Sequence, residues 1–297
     1  MVPGPMSAPG GQTSAVLHSL LPPAVQALAE PLRSVLAADR KQLPVLFPSL
    51  PRRAGREPIG SGRIQVGSAT IDRGAFRTCD VLAAWLLATL PADDRERIDL
   101  YDHGDLEERA MLLRALHFLP VGPLTVRLYG EVQRTNVVLH LEAALCDGDL
   151  FVRTLGQPGF DTTAANKLLL KLAFLDLPLQ RAFGAEQAAN PELSRMLQDL
   201  ATEREAAGRA VWRDTARLCG RAPTAGTTAR LVGGLEHGDD HVRLAAAEGL
   251  LALALGSAQR PDLRPFVQER LERETRPAIR AALQRCHEAV TPPNHRC

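Results

Sequence analysis

Aromatic side chains are scarce: eight Phe, two Tyr and two Trp make up 4% of the 297 residues. So few rings argue against the stacking platforms of nucleic-acid binders and against aromatic cages. Charge of one sign is lacking as well. Lys and Arg number 35 against 34 Asp and Glu, a formal net charge of +1 with no polybasic cluster, so nucleic acid is not an expected partner. Long hydrophobic runs are missing. The longest, VLAAWLLATL and LLALAL, fall short of the roughly 20 residues that a membrane span needs. The start, MVPGPMSAPGGQTS, has no basic segment followed by an apolar core, so it does not read as a signal peptide. The five cysteines, Cys79, Cys146, Cys219, Cys286 and Cys297, are odd in number and far apart. They read as reduced, buried thiols of a cytoplasmic protein rather than as a disulfide framework.

Catalytic signatures are also few. GxSxG, HExxH and CxxC do not occur, and GSGRIQVG (60–67) lacks the Lys-Ser/Thr of a phosphate-binding P-loop. His237 and His241 are four apart but flank Gly238-Asp239-Asp240, a turn between helices. Cys286, His287, His295 and Cys297 gather near the end of the chain at a spacing that fits no standard zinc finger. No catalytic residue, metal or cofactor is therefore assigned.

What is present is helical periodicity. Two short helices are expected over 15–38, interrupted at Pro22-Pro23 and at Pro31, after a flexible tail over 1–14. Residues 43–74 are rich in Pro and Gly and read as a long loop with a hairpin at 63–71. Helices are then expected over 77–90, 105–119, 124–145 and 163–176. Asp105 with Glu108 makes a capping box, Thr162 or Thr163 can cap the next long helix, and Asn190-Pro191 opens another that Gly208 stops. From Thr227 the pattern changes to short paired helices, about 227–236, 240–255, 262–274 and 276–289, of the kind found in HEAT-type solenoids. The fold class is all-α, a bundle or solenoid of helix pairs.

Composition bias sharpens a few polar positions. Lys occurs only at Lys41, Lys167 and Lys171, and Asn only at Asn136, Asn166, Asn190 and Asn294. This is the usage of a GC-rich bacterial genome. Lys167 and Lys171 share one helix face. Asn is unfavourable inside helices, so Asn136 and Asn166 are either structural hydrogen-bonding groups or polar points of a binding groove. The apolar stripe Leu193, Met196/Leu197, Leu200 runs on into Glu203 and Arg204, two charges on a packing face.

These segments carry a resemblance. Glu131-Val-Gln-Arg134-Thr135-Asn136, then FDTTAANKLLLKLAF, ANPELSRMLQDLATERE and AAGRAVWRDTARLCG, together resemble the EboA-domain family over roughly residues 45–222. Arg134, Thr135, Asn136, Asn166, Lys171, Phe174, Asn190, Glu192, Leu193, Met196, Leu197, Glu203, Arg204 and Arg209 match its motifs, and Pro51-Arg52 matches a shorter one. The chain departs from the family at Ala165 and Glu205, where the family has tryptophan, and at Lys167, where it has glutamine. The resemblance implies an EboA-like helical domain, set at 15–222, and the helix pattern beyond it is expected to form a HEAT-like annex over 223–290 with a flexible tail over 291–297.

It further implies a non-catalytic accessory protein of a bacterial secondary-metabolite cluster, a carrier or scaffold in the traffic of a lipophilic or aromatic metabolite. Its partners would be a metabolite precursor or cluster enzymes such as a UbiA-like prenyltransferase. The expected polar anchors are Arg134, Asn136, Asn166, Lys171, Glu203 and Arg204. Two alternatives remain open: an enzyme with Glu203 as acid/base and Lys171 or Arg134 as anion partner, and a HEAT-like interaction module. In a purely structural account Glu203 and Arg204 pair with Arg134 or Arg209 and fix helix register.

Overall fold

A computed structural model describes residues 9–91, 93–256 and 262–291. The chain divides into two compact units, Met1–Ala164 with Gln180–Gly184, and Ala165–Leu179 with Ala185–Cys297. The division falls within a helix and around residues 180–184 rather than near residue 222.

The first unit contains α1 (Pro9–Leu20), α2 (Pro23–Ala38), α3 (Leu43–Leu46), α4 (Leu50–Ala54), the hairpin β1 (Arg63–Val66) and β2 (Ala69–Asp72), α5 (Thr78–Thr89), α6 (Asp94–His103), α7 (Leu106–Ala115), α8 (Pro123–Arg134), α9 (Val138–Leu145) and α10 (Leu150–Thr154). α11 (Thr162–Phe174) leads the chain into the second unit, which continues with α12 (Pro191–Ala206), α13 (Thr215–Arg221), α14 (Thr227–Gly234), α15 (Asp240–Gly256), α16 (Arg264–Arg273) and α17 (Pro277–Val290). The protein is all-α, with one two-stranded antiparallel sheet pairing Arg63 with Asp72 and Val66 with Ala69 among the described residues. No helix among them is long and apolar enough to cross a membrane.

α5 explains the first unit. Every residue from Thr78 to Leu87 is buried, as expected of a helix that is apolar all round. It packs against α1, α2, α4 and α7. Its one acidic group, Asp80, is fully buried and held by Arg77 (Nη2 to Oδ1, 3.0 Å), with the Arg114 guanidinium 3.8 Å away. In the second unit α15 holds that place, packing against α13, α14 and α17 over a core that includes Leu231, Leu250, Leu253, Val267, Ile279 and Leu283. α13 and α15 approach so closely that a Cβ at Gly220 would lie 2.1 Å from the Gly249 carbonyl oxygen.

Three expectations need correction. Residues 43–54 are helical rather than loop. Pro44, Pro48 and Pro51 each fall in the first turn of a short helical segment, where the missing N–H costs nothing. The helix expected over 124–145 breaks at Thr135–Val137 into α8 and α9. α1 begins at Pro9, inside the stretch taken for a flexible tail; residues 1–8 and 292–297 lie outside the described residues. The capping box at Asp105 and Glu108 forms as expected. Asn190 caps α12, and Gly208 sits in the left-handed region (φ 65°) just past its end. The cap of α11 is Asp161, whose Oδ1 accepts the Ala164 N–H at 2.8 Å, rather than either threonine.

Candidate functional site

The matched Arg-Thr-Asn segment builds the α8–α9 break. Thr135 leaves the helix with extended backbone, and its Oγ1 accepts the Val137 N–H at 3.0 Å, a local turn that competes with helix continuation. Asn136 is exposed in that break, so it never bears the cost of a helix interior. Arg134 is 71% exposed and pairs with Glu131 one turn earlier (Nη1 to Oε1, 2.8 Å); Arg127 shares the same carboxylate.

In the second unit the matched residues close helix ends. Asn166 on α11 is buried and forms a reciprocal amide pair with Asn190. Asn166 Nδ2 donates to Asn190 Oδ1 at 3.2 Å, and Asn190 Nδ2 donates to Asn166 Oδ1 at 2.7 Å. Asn190 Oδ1 also accepts the Leu193 N–H at 3.0 Å as the α12 cap. One asparagine therefore starts a helix, and the other ties that start to the flank of α11. Lys171 is half-buried on α11, one turn after the exposed Lys167.

The far end of α12 resolves its two charges. Leu193, Leu197 and Ala201 are buried, whereas Glu203 is exposed. Arg204 instead reaches the chain just past α11. Its Nη1 donates to Asp176 Oδ1 at 2.6 Å and to the Ala210 carbonyl at 3.0 Å, and its Nη2 to Asp176 Oδ2 at 3.0 Å and to the Phe174 carbonyl at 3.1 Å. The hydrogen bonds to Asp176 raise the arginine's pKa further. Asp176 needs this grip, because it lies in the left-handed region (φ 55°) that side chains enter at a cost. Trp212 and Asp214 complete the clamp: the indole N–H donates to the Leu177 carbonyl at 3.0 Å, and Asp214 Oδ2 accepts the Leu179 N–H at 2.9 Å. Burial pushes the Asp214 carboxyl upward. Neither Glu203 nor Arg204 shares these bonds with Asn166 or Asn190. Arg204 is a clamp on the end of α11: its side chain is bonded to Asp176, and its only link to Arg209 among the described bonds is the backbone one from the Arg209 N–H to its carbonyl at 2.8 Å. Glu205, where the family carries tryptophan, accepts from Arg230 Nη2 at 2.7 Å.

The same device recurs within the first unit. Asp147, past the end of α9, is left-handed (φ 62°), and Arg181 grips it through Nε (2.9 Å) and Nη2 (2.5 Å) while its Nη1 reaches Glu142 at 2.5 Å. Sequence reading missed both aspartates and the role of Arg181; it expected an ion pair at Arg204 but not with Asp176. The available signal was an Asp just beyond the last apolar residue of a helix, with no glycine there to take the positive φ.

His237 and Asp239 build the turn before α15. His237 Nδ1 accepts the Asp239 N–H at 3.0 Å, and Asp239 in turn caps the His241 N–H at 2.8 Å. Among the described residues no group of three or more His, Cys, Asp or Glu could hold a metal ion. His295 and Cys297, part of the possible zinc set, lie outside the described residues. Cys79, Cys146, Cys219 and Cys286 are buried free thiols, and burial pushes Cys146 up to about 12 and Cys79 and Cys286 up to about 11. Such thiols are poor nucleophiles.

The first unit also carries an open cleft of about 650 Å³, lined by side chains of α1, α2 and α5, among them His18, Glu30, Arg33 and Trp85. Periodicity and motifs do not reveal it, because its walls come from segments more than fifty residues apart.

Together these features define an all-helical protein in which motif polar groups close helix ends. The chain belongs to the EboA family: the family model described as "Metabolite traffic protein EboA" matches residues 39–220. No curated protein and no solved structure matches it.

Proposed function

We propose that the chain is a non-catalytic accessory protein that carries a lipophilic or aromatic metabolite, or holds it for a biosynthetic enzyme, in the cytoplasm of a bacterium with a secondary-metabolite cluster. A prenyltransferase of the UbiA type is the kind of partner this reading expects. The observation that carries it is the conjunction of family membership with the fate of the motif residues. Arg204, Asn166 and Asn190 are engaged in holding helices together, and Glu203 is exposed rather than set in an apolar groove. An acid/base carboxylate of the enzyme alternative would draw its reactivity from such a groove, so the carrier reading is favoured. Arg134 and Asn136 are exposed and Lys171 is half-buried, and these are the motif groups the carrier reading assigns to ligand or partner contact.

The test is retention. The purified protein is mixed with an extract of the cells that make it, passed through gel filtration, and denatured for mass spectrometry. Recovery of a small molecule at near one per chain supports the reading. Recovery of none, together with no association with the products of neighbouring genes, removes it.

A further inference from the structure

The chain has two tryptophans, and the structure employs them differently. Trp212 is built into the clamp on α11, its N–H satisfied by a carbonyl. Trp85 is only 4% exposed, and its indole nitrogen, which has no hydrogen-bond partner among the described residues, is not one of the buried atoms left unsatisfied, so it stays accessible from the cleft side. Trp85 lines the open cleft of the first unit, where its ring meets His18 at 5.5 Å between centroids and 47° between planes. The two rings form one aromatic wall.

The polar groups around that wall are Ser14, Glu30, Arg33 and Thr89. Arg33 gives its Nε proton to Glu30 at 2.8 Å, the one carboxylate among the described residues that line the cleft, which leaves the Nη groups of Arg33 without a bond to it. The Thr89 hydroxyl is used on the Trp85 and Leu86 carbonyls, so its methyl is what remains for a ligand. Ala15 and Ala88 supply small apolar surface. A cleft of about 650 Å³ lies within the usual range for small-molecule sites, about 300–1,000 Å³. A flat apolar body beside one aromatic wall, with an indole N–H and a guanidinium to receive oxygen, describes a specific chemistry.

We propose that this cleft binds a planar aromatic carboxylate, its ring against Trp85 and His18 and its carboxylate oxygens toward the Trp85 N–H and Arg33. This rests on the carrier reading and names the site and ligand class for it. The site lies largely on α1 and α2, ahead of the family-matched residues 39–220, so it also assigns a role to the segment that the family match leaves out.

The experiment follows the two indole N–H resonances of the ¹⁵N-labelled full-length protein, assigned with Trp212→Phe, during titration with sodium 1-naphthoate. The Trp85 resonance is expected to move saturably while that of Trp212 stays in place, and cyclohexanecarboxylate, of equal charge but not flat, is expected to leave both unmoved. Ala15→Leu and Ala88→Leu fill the cleft without removing a ring and should weaken binding at least tenfold, with the Trp212 resonance reporting that each variant is folded. The proposal is overturned if Trp85 does not move up to millimolar naphthoate, if cyclohexanecarboxylate moves it equally, or if both leucine variants bind as the parent does. A fixed Trp85 with shifts elsewhere overturns this cleft and leaves the carrier reading standing. Failure of extract retention removes the carrier reading whatever Trp85 does.

Discussion

Arg204→Ala is the substitution that weighs most directly on the structural role given to the motif. It removes two hydrogen bonds to Asp176 and one each to the carbonyls of Phe174 and Ala210. The Asp176 carboxylate is 61% exposed, so solvent screening limits that ion pair to about 0.5–1 kcal/mol. Each carbonyl loses a bond to a charged donor, about 1 kcal/mol apiece once water competes. The expected loss is therefore roughly 2–3 kcal/mol. Arg204→Lys keeps the charge but not the fork and should recover less than half of it. Asp176→Gly makes the sharper comparison. It forfeits the ion pair but frees a left-handed residue (φ 55°) whose strain is worth about 1 kcal/mol, so it should come out near neutral. Urea unfolding followed by circular dichroism and by tryptophan emission reads all three. Arg204→Ala within about 0.5 kcal/mol of the parent, the range of an ordinary surface change, would refute the clamp. So would Asp176→Gly proving as costly as Arg204→Ala.

Gly249→Ala places a methyl 2.7 Å from the Ala216 carbonyl oxygen and 2.6 Å from a Leu231 methyl; overpacking of this kind should cost about 1–3 kcal/mol or more. Gly130→Ala, within α8 and with nothing inside 4 Å of its Cβ, should gain up to about 1 kcal/mol in the same melts. Glu274 is 1% exposed; burial alone would raise its pKa, but the Arg276 backbone N–H and the Arg270 and Arg243 guanidinium groups outweigh burial and hold it down to about 2. A depressed carboxylate contributes stability that is complete above its ordinary value of 4.5 and is lost as pH falls toward 2. Acid titration of unfolding should therefore show a loss in that window that Glu274→Gln lacks.

What could be read in the sequence was local. The caps at Asp105 with Glu108 and at Asn190 before Pro191 are decided within four residues of chain, so pattern alone locates them. The α8–α9 break escaped because Leu128, Val132 and Leu139 keep helical spacing across it, and only the Thr135 turn interrupts the backbone. α6 escaped because its ten residues, DRERIDLYDH, are mostly polar; its buried face is Arg97, Leu100 and Tyr101, anchored by Arg97 Nη2 on the Leu87 carbonyl at 2.8 Å. Its cap, Asp93, was the readable signal. The role of Arg204 depends on an aspartate 28 residues away, and that of Trp85 on helices more than fifty residues earlier. Periodicity can place such residues on a face but cannot say what faces them. The prolines of 43–54 mislead for the opposite reason: a residue that ends helices in most positions begins them in the first turn.

The central claim is that the protein holds a small molecule without transforming it. Its most direct measurement is the mass of the compound released by the denatured complex, beside the mass of the compound supplied, for the parent and for Glu203→Gln. The account predicts equal masses and equal occupancy in both proteins. A new mass released by the parent and missing from Glu203→Gln would contradict it and establish the exposed carboxylate as a catalyst.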